Sequence, residues 1–243
     1  MYLSTLLIDV GANPDRPRPG RLWLRNPYHV HQRLCMAFPS ASRKSDDQDF
    51  LKPFAPQDFG QEQVHVARRT DAGFLFRIDV PPAGRAVVLV QSSVTPDWDY
   101  AFHNAGYLLA APCEVKDFNP HLWCRAGATW QFRLRANPTV KREEKRHALL
   151  SEEEQTRWLG RKADAGGFAV LSVTASREGS RVARKTEYDA PEPKEHRISL
   201  FAVRFDGVLQ VTDDEAFLRS LCCGIGPAKG LGFGLLSLAR LPQ

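Results

Sequence analysis

The order of the predicted secondary-structure elements repeats once along the 243 residues of the chain. In each half, hydrophobic periodicity and turn residues predict a strand, then a helix, further strands and a closing strand. This order is typical of the ferredoxin-like fold, in which two helices cover one face of an antiparallel sheet. The sequence therefore predicts an α+β protein of two tandem ferredoxin-like (RRM-like) domains, at residues 1–138 and 148–243, with the boundary between residues 138 and 148.

The first half contains the clearest helix start. Asn26 is a favourable N-cap, Pro27 suits the first helical position, and Pro39 ends the helical pattern. Strands are predicted at 2–9, 64–69, 74–80, 87–91 and 130–136, with a polar loop at 40–62. An irregular link joins the first strand to the helix. Residues 95–121 are assigned no element beyond a loop that could include a short helix, so a convincing second helix is missing from this half.

The second half begins with a capping box, formed by Ser151 and Glu154, which predicts a helix ending near residue 166. The pair Asp206-Gly207 predicts a tight hairpin between strands at 198–205 and 208–211. Two further strands are predicted at 168–175 and 184–188, on either side of a basic turn, followed by a last helix at 212–224 and a final strand at 231–241.

The charge distribution and the composition restrict the classes of function that this chain can have. The formal net charge is +5, and the excess lies in two stretches: residues 133–146 hold six Lys or Arg against two Glu, and residues 177–185 hold four against one. Such concentration is the electrostatic footprint of a polyanion-binding surface. No apolar run approaches the ~20 residues of a membrane-spanning helix, and the N-terminal stretch has the pattern of a strand, not of a signal peptide. The sequence predicts a cytoplasmic protein without a membrane partner.

The five cysteines indicate neither a disulfide framework nor a metal site. Cys222 and Cys223 are adjacent, and the other three are scattered. A zinc site of Cys113, His121 and Cys124 matches no closed tetrahedral spacing, so the thiols are interpreted as reduced and buried. We predict no metal and no cofactor.

A histidine on the predicted first helix is the candidate for proton transfer. Tyr28 and His31 are three residues apart and therefore share a helix face, from which His29 points away. Imidazole is the side chain best suited to proton transfer near neutral pH, and a neighbouring phenol can orient a phosphate. Taken by position alone, His31 could equally be an ordinary surface residue.

The basic stretches are the candidates for phosphate contacts. Strand periodicity places Arg133 and Arg135 on one face of the strand at 130–136, opposite its apolar side chains. Ordinary solvated surfaces would have the same composition. The RNA-binding residues predicted in the two stretches are Arg133, Arg135, Lys141, Arg142, Arg177, Arg181, Arg184 and Lys185.

The most specific motif is Gly-Ile-Gly-Pro-Ala-Lys-Gly-Leu-Gly-Phe-Gly at residues 224–234, with five glycines around Lys229. Its order differs from that of the Walker loop, and a helix precedes it, unlike in the dinucleotide fingerprint. Such glycines let the backbone approach a ligand closely, and phosphate is the ligand we expect. We predict that Gly226, Lys229, Gly230 and Gly232 bind RNA.

Three motifs in this order resemble the CasE family, the CRISPR-repeat RNA endonucleases of the type I-E Cascade complex. They are Asn-Pro-Tyr-x-x-His from Asn26, Phe-Arg-Leu-Arg-Ala-Asn-Pro from Phe132, and the glycine-rich stretch, and together they span nearly the whole chain. The resemblance implies tandem ferredoxin-like domains, with His31 and Tyr28 as catalytic residues. In some relatives a lysine follows the histidine by five residues, where this chain has Met36.

The resemblance also implies the reaction and the partners. The protein would bind the hairpin of a CRISPR repeat RNA, cut precursor CRISPR RNA without a metal by 2′-hydroxyl attack, and retain the product beside other Cascade subunits. The main alternative is a non-catalytic protein that binds an RNA stem-loop on the same fold. A small-molecule enzyme that uses the glycine-rich stretch is a weaker alternative.

Overall fold

The computed structural model describes residues 1–11, 13, 18–38, 73–81, 85–143, 145–187 and 194–242. The predicted loop at 40–62 and the predicted strand at 64–69 lie outside these residues. The chain divides into two compact units, Met1–Phe118 and Asn119–Gln243, which we describe separately.

The first unit is built on a four-stranded antiparallel sheet. Among the described residues, its strands are β1 (Tyr2–Ile8), β2 (Phe74–Asp79), β3 (Ala86–Ser92) and β4 (Glu114–Asp117), and its α-helices are α1 (Pro19–Leu24), α2 (Pro27–Cys35) and α3 (Trp98–Phe102). The strand order β2-β3-β1-β4 is that of a ferredoxin-like domain. The short α3 takes the place of the second helix that the sequence pattern left unassigned.

The core of this unit explains why α2 lies where it does. Val30 and Leu34, four residues apart on α2, are fully buried against Leu6, Ile8 and Phe76 of the sheet. Burying each of these side chains stabilises the unit by about 1.5–3 kcal/mol. The apolar stripe of α2 therefore fixes which of its residues lie away from the core.

The second unit repeats the arrangement with an added hairpin. Its strands are β5 (Thr129–Ala136), β6 (Thr139–Arg142), β7 (Lys145–Ala148), β8 (Phe168–Glu187), β9 (Lys194–Val211) and β10 (Leu236–Ala239), and its helices are α4 (Glu152–Ala165) and α5 (Asp214–Cys223). The sheet order β10-β5-β9-β8 is again ferredoxin-like, and β6 pairs only with β7 in a separate small hairpin. The capping box of Ser151 and Glu154 begins α4 as predicted.

The predicted fold class is confirmed, but the boundary between the units differs from the expected 138–148. β5 hydrogen-bonds with β9 and β10, so it is the first strand of the second unit and not the last strand of the first. The first unit is closed instead by β4, whose four residues are all exposed and show no hydrophobic alternation. A strand without an apolar face gives the sequence pattern nothing to detect.

The predicted hairpin at Asp206-Gly207 is wrong, because β9 runs straight through these residues. Gly207 pairs with Val173 of β8, next to an irregularity of β8 between Val170 and Ser172. A Cβ atom on Gly207 would lie only 2.0 Å from the carbonyl oxygen of Ser172. The glycine therefore permits a close approach of two strands, which is the other common role of glycine within a sheet.

Three further predicted elements differ from those in the structure. The basic turn predicted between the strands at 168–175 and 184–188 lies within β8, which continues to Glu187. The link before Asn26 contains the six-residue α1, with a proline at its start. The final strand is shorter than residues 231–241, because the glycine-rich stretch forms a 3₁₀ turn at Lys229–Leu231 before β10 begins.

Candidate functional site

His31 lies on α2 of the first unit. The helix begins at the predicted cap, where the Asn26 Oδ1 atom accepts a hydrogen bond from the backbone N–H of Tyr28 at 3.2 Å. Trp23 Nε1 donates to the carbonyl oxygen of His29 at 3.3 Å and ties the first turn to the preceding segment. Tyr28 and His31 are both half-buried, one turn apart, while His29 is exposed. The predicted pair therefore occupies one side of a well-anchored helix start.

The imidazole of His31 is held by contacts on two sides. It stacks on Phe74 of β2 with ring centroids 5.4 Å apart and an interplanar angle of 24°, and Phe76 lies next at 6.3 Å. On its own helix, Nε2 lies 3.6 Å from the Sγ atom of Cys35. Burial raises the pKa of the Cys35 thiol, so the sulfur stays protonated at neutral pH. The neutral thiol therefore makes a weak hydrogen-bonding contact with the imidazole ring.

Position 36, where the family resemblance implies a lysine in some relatives, holds a methionine in this chain. Met36 is 3% exposed and packs in the core of the first unit. Arg33, nearby on α2, donates through Nη1 to the carbonyl oxygen of Ala101 at 3.0 Å and to Asn104 Oδ1 at 3.3 Å. Burial lowers the pKa of Arg33, which the nearby Tyr107 partly opposes. Arg33 thus joins α2 to the region after α3.

In the second unit, the prediction for Arg135 needs correction. Arg135 is 8% exposed, and its guanidinium binds the Glu178 carboxylate through Nε at 2.5 Å and Nη2 at 3.0 Å. Glu178 faces it because the β8–β9 pairing shifts register between Arg177 and Gly179. A buried arginine that is committed to a carboxylate supports the sheet and is not placed to contact a ligand. The partner lies 43 residues away, beyond the reach of a strand-periodicity argument.

Arg133 is exposed, as predicted, but it is also paired. Its Nε lies 2.5 Å from Asp206 Oδ1, and Arg204 Nε lies 2.7 Å from the other oxygen of the same carboxylate. Arg204 also approaches Glu178 at 3.9 Å, so the charged side chains of three strands form one network. Arg133 remains accessible to a phosphate at the edge of this network.

The predicted basic residues of β8 line the long β8–β9 hairpin. Arg177, Arg181 and Arg184 are exposed, and Lys185 is half-buried. Arg184 lies directly across from Arg197 of β9 and 3.7 Å from Glu195. Arg184 therefore has a like-charged residue opposite it and one carboxylate beside it.

The small β6–β7 hairpin concentrates positive charge further. Lys141 lies opposite Arg146, and Arg142 lies opposite Lys145, so that four exposed cations form two directly opposed pairs. Glu143 adopts a left-handed conformation (φ 46°) at the turn. Like charges in opposed positions destabilise a sheet, so the hairpin retains a surface suited to a polyanion at a cost in its own stability. Lys145 and Arg146 belong to the same basic stretch as the predicted RNA-binding residues Lys141 and Arg142.

Backbone hydrogen bonds within the second unit hold the glycine-rich stretch in its conformation. The Gly234 N–H donates to the carbonyl oxygen of Arg135 and its carbonyl oxygen accepts from Ile225 N–H, both at 2.8 Å. At φ 87°, Gly234 has a conformation that favours glycine, and a Cβ atom there would lie 2.8 Å from Ile225 O. Of the predicted RNA-binding glycines, Gly232 is buried and has a structural role, whereas Gly230 is exposed and Gly226 is half-buried.

Lys229 is the charged group of this stretch. It is half-buried, and desolvation lowers its pKa; Lys162 acts in the same direction, while Cys223 opposes it. Such a lysine, with part of its hydration removed, is well suited to bind an anion.

Two structural observations concern metals and membranes. Within the described ranges, no group of three or more His, Cys, Asp or Glu side chains is arranged to hold a metal ion. None of the helices in the described part of the chain is long and apolar enough to cross a membrane.

Comparisons with known proteins cover nearly the whole chain. A family model described as CRISPR associated protein matches residues 1–240. The CRISPR-associated endoribonuclease Cse3 of Thermus thermophilus is 32% identical, over 98% of this chain and 100% of the relative. The Cascade subunit CasE of Escherichia coli is 30% identical, over 99% and 100%. A solved structure of Cse3 bound to a 19-nucleotide RNA superposes with a TM-score of 0.66 at 30% identity, covering 99% of this chain and 100% of that one.

Proposed function

The chain belongs to the family of CRISPR-associated proteins, and from this premise we propose that it is an endoribonuclease. Its substrate is the stem-loop of CRISPR repeat RNA, and its product is guide RNA cut from the precursor. The full-length similarity to Cse3, named as an endoribonuclease and solved with RNA, supports this function.

The observation that carries the proposal is the β6–β7 hairpin. Its four cations stand in two directly opposed pairs, and like charges in such positions repel each other across a hairpin. A regular, folded polyanion removes this repulsion by placing phosphates between the side chains. Duplex RNA is recognised largely through its shape and its phosphates, which fits a rigid basic hairpin on a small sheet protein.

The chemistry we propose is internal transesterification. The ribose 2′-hydroxyl attacks the adjacent phosphorus in line and expels the 5′-oxygen of the next nucleotide, which leaves a 2′,3′-cyclic phosphate. Since the nucleophile belongs to the RNA, the protein has to orient it, move protons and stabilise charge. His31 moves a proton as acid or base, and Tyr28 positions the sugar-phosphate. Because Met36 is buried, the negative charge on the phosphorus is stabilised by basic groups outside α2.

The proposal includes retention of the product and assembly with other subunits. The relative from Escherichia coli is named as a subunit of the Cascade complex. An exposed basic surface that binds many phosphates releases a cut hairpin slowly, because cleavage beside the stem leaves those contacts in place. We propose that this chain holds its guide RNA in a Cascade complex of type I-E.

We also place the protein in the cytoplasm. None of the five cysteines forms a disulfide, and Cys35 and Cys124 are buried. Reduced thiols in a small domain are typical of a reducing compartment. The cytoplasm is also where a transcribed precursor RNA is available.

Incubation of the purified chain with a labelled repeat hairpin, in excess chelator, tests the proposal. We expect a single cut at the base of the stem, and no cut in an unstructured RNA of the same composition. The non-catalytic alternative predicts tight binding of the hairpin with no scission. Steep loss of binding with salt distinguishes both RNA-binding functions from a small-molecule enzyme.

A further inference from the structure

A cavity of about 410 Å³ lies beside the glycine-rich stretch, entirely within the second unit. Three of the described residues that line it are cationic and none is acidic. They come from different elements: Arg146 from β7, Lys162 from the last turn of α4, and Lys229 from the 3₁₀ turn. The floor is formed by small residues that follow the two helices, including Gly166 and Gly224.

The positions of these cations are unfavourable for the protein alone. Lys229 is half-buried, and the nearby positive charge of Lys162 adds to the cost of its burial. No carboxylate of the described residues forms a salt bridge with either lysine. The C-terminal ends of α4 and α5 carry partial negative charge, which offsets part of the repulsion. The remaining positive charge would be neutralised by an anion in the cavity.

The cavity is also held open by its own contacts. The Ser220 hydroxyl donates to the carbonyl oxygen of Gly166 at 3.1 Å and joins the ends of α4 and α5. Lys162 lies over the Trp158 ring, 6.0 Å from its centroid, and the same ring limits the space next to Gly226. The lining is therefore preformed, which reduces the cost of binding.

We infer that this cavity binds one nucleotide of the repeat RNA through its phosphate, with Lys162, Arg146 and Lys229 as the charged contacts. The inference rests on the proposed RNA-binding function and adds Lys162 to its contacts. The volume falls in the range of about 300–1,000 Å³ that is typical of small-ligand sites, which suits a nucleotide and its phosphate. The site shares Arg146 with the β6–β7 hairpin and extends the basic surface to Lys162 and Lys229.

The neighbouring Arg161 provides a matched control for Lys162. Both side chains are exposed on α4 and carry one positive charge, but Arg161 does not line the cavity. We expect Lys162→Ala to weaken hairpin binding several-fold and to lower the slope of log Kd against log salt by about 0.7–0.9, the value of one phosphate contact. Arg161→Ala should change the slope by much less, and Lys162→Arg should restore it.

Three results would overturn the inference. Equal slopes for Lys162→Ala and Arg161→Ala would overturn the inference, because they would show a diffuse field instead of a site. A lower melting temperature with an unchanged slope would also overturn it, since Lys162 would then only stabilise the end of α4. Thermal shift with inorganic phosphate gives a third arm. If Lys162→Ala loses a response to phosphate but keeps its RNA affinity, the ligand is a free phosphate and the RNA assignment is overturned.

Separate measurements of RNA binding and RNA cleavage distinguish a failure of this inference from a failure of the proposed function. A wild-type chain that binds the hairpin without cutting it removes the endonuclease proposal, while a reduced slope for Lys162→Ala still supports the cavity. A chain that cuts normally, with Lys162→Ala indistinguishable from wild type in binding, removes only the cavity.

Discussion

The Sγ atom of Cys35 lies 3.6 Å from Nε2 of His31, one helical turn away on α2. The thiol is buried, and its raised pKa keeps it protonated, so it contacts the imidazole as a neutral partner. Together with the stacking of His31 on Phe74, this contact fixes the plane of the ring. Cys35 is therefore a positioning residue for the proposed catalytic histidine.

Replacing Cys35 with alanine should slow cleavage and leave RNA binding unchanged. The expected loss in the single-turnover rate constant is about 2- to 10-fold, which corresponds to one hydrogen bond of about 0.5–1.5 kcal/mol. Cys35→Ser, which keeps a donor at the same position, should recover most of the rate. Identical rate constants for Cys35→Ala and wild type, at equal folded fractions, would show that the contact does not position the ring.

Substitutions in the β6–β7 hairpin should weaken RNA binding without lowering the stability of the fold. The double variant Arg142→Ala, Lys145→Ala should reduce the salt slope of hairpin RNA binding by up to about 1.4–1.8, the value of two phosphate contacts. Its melting temperature should stay equal or rise, because a repulsive cross-strand pair is removed. Lys116→Ala, an exposed lysine on β4, is the control for loss of charge alone. A wild-type slope in the double variant would mean that the hairpin is an ordinary solvated surface.

Two neighbouring arginines of β5 should differ sharply in their effect on stability. Arg135→Ala removes the main partner of the half-buried Glu178 carboxylate, and breaking such a pair costs up to about 3–5 kcal/mol of unfolding free energy. Arg133→Ala breaks an exposed pair and should cost less than about 1 kcal/mol. Urea unfolding measures both. Similar losses for the two variants would contradict the structural role of Arg135.

Local signals predicted much of the fold. The Asn26 cap, the Ser151–Glu154 capping box and the strand at β5 were correct because neighbouring residues determine each of them. The two ferredoxin-like domains followed from the order of such elements. The boundary was misplaced because β4 lacks an apolar face and β5 finds its partners more than 60 residues further along the chain.

Some residues of the candidate site could likewise be predicted from local sequence, and others could not. The face shared by Tyr28 and His31 follows from helix spacing, and the basic stretches follow from composition. The burial of Arg135 depends on Glu178 and on a register shift, which no local pattern reveals. The cavity is lined by Lys162 and Lys229, which are far apart in the sequence of the second unit, so only the tertiary structure identifies it.

The substrate itself tests the proposed chemistry. One 2′-deoxy substitution just upstream of the scissile phosphate should stop cleavage, because it removes the nucleophile. Binding should change little, since the hairpin keeps its phosphates and nearly all of its shape. The upstream product of the normal RNA should end in a 2′,3′-cyclic phosphate, which mass spectrometry identifies. Cutting of the deoxy substrate would show that water, not the ribose, is the nucleophile.

The most direct test of the account is the single-turnover cleavage rate of His31→Ala on the repeat hairpin, in excess chelator and at saturating protein. Removal of a general acid or base typically lowers a rate by about 10²–10⁴-fold, while one neutral side chain adds little to a wide electrostatic interface. We therefore expect a rate constant lower by about that factor, with the Kd of the hairpin nearly unchanged. A variant that cuts at the wild-type rate would contradict the account, because the protein would then cleave RNA without His31.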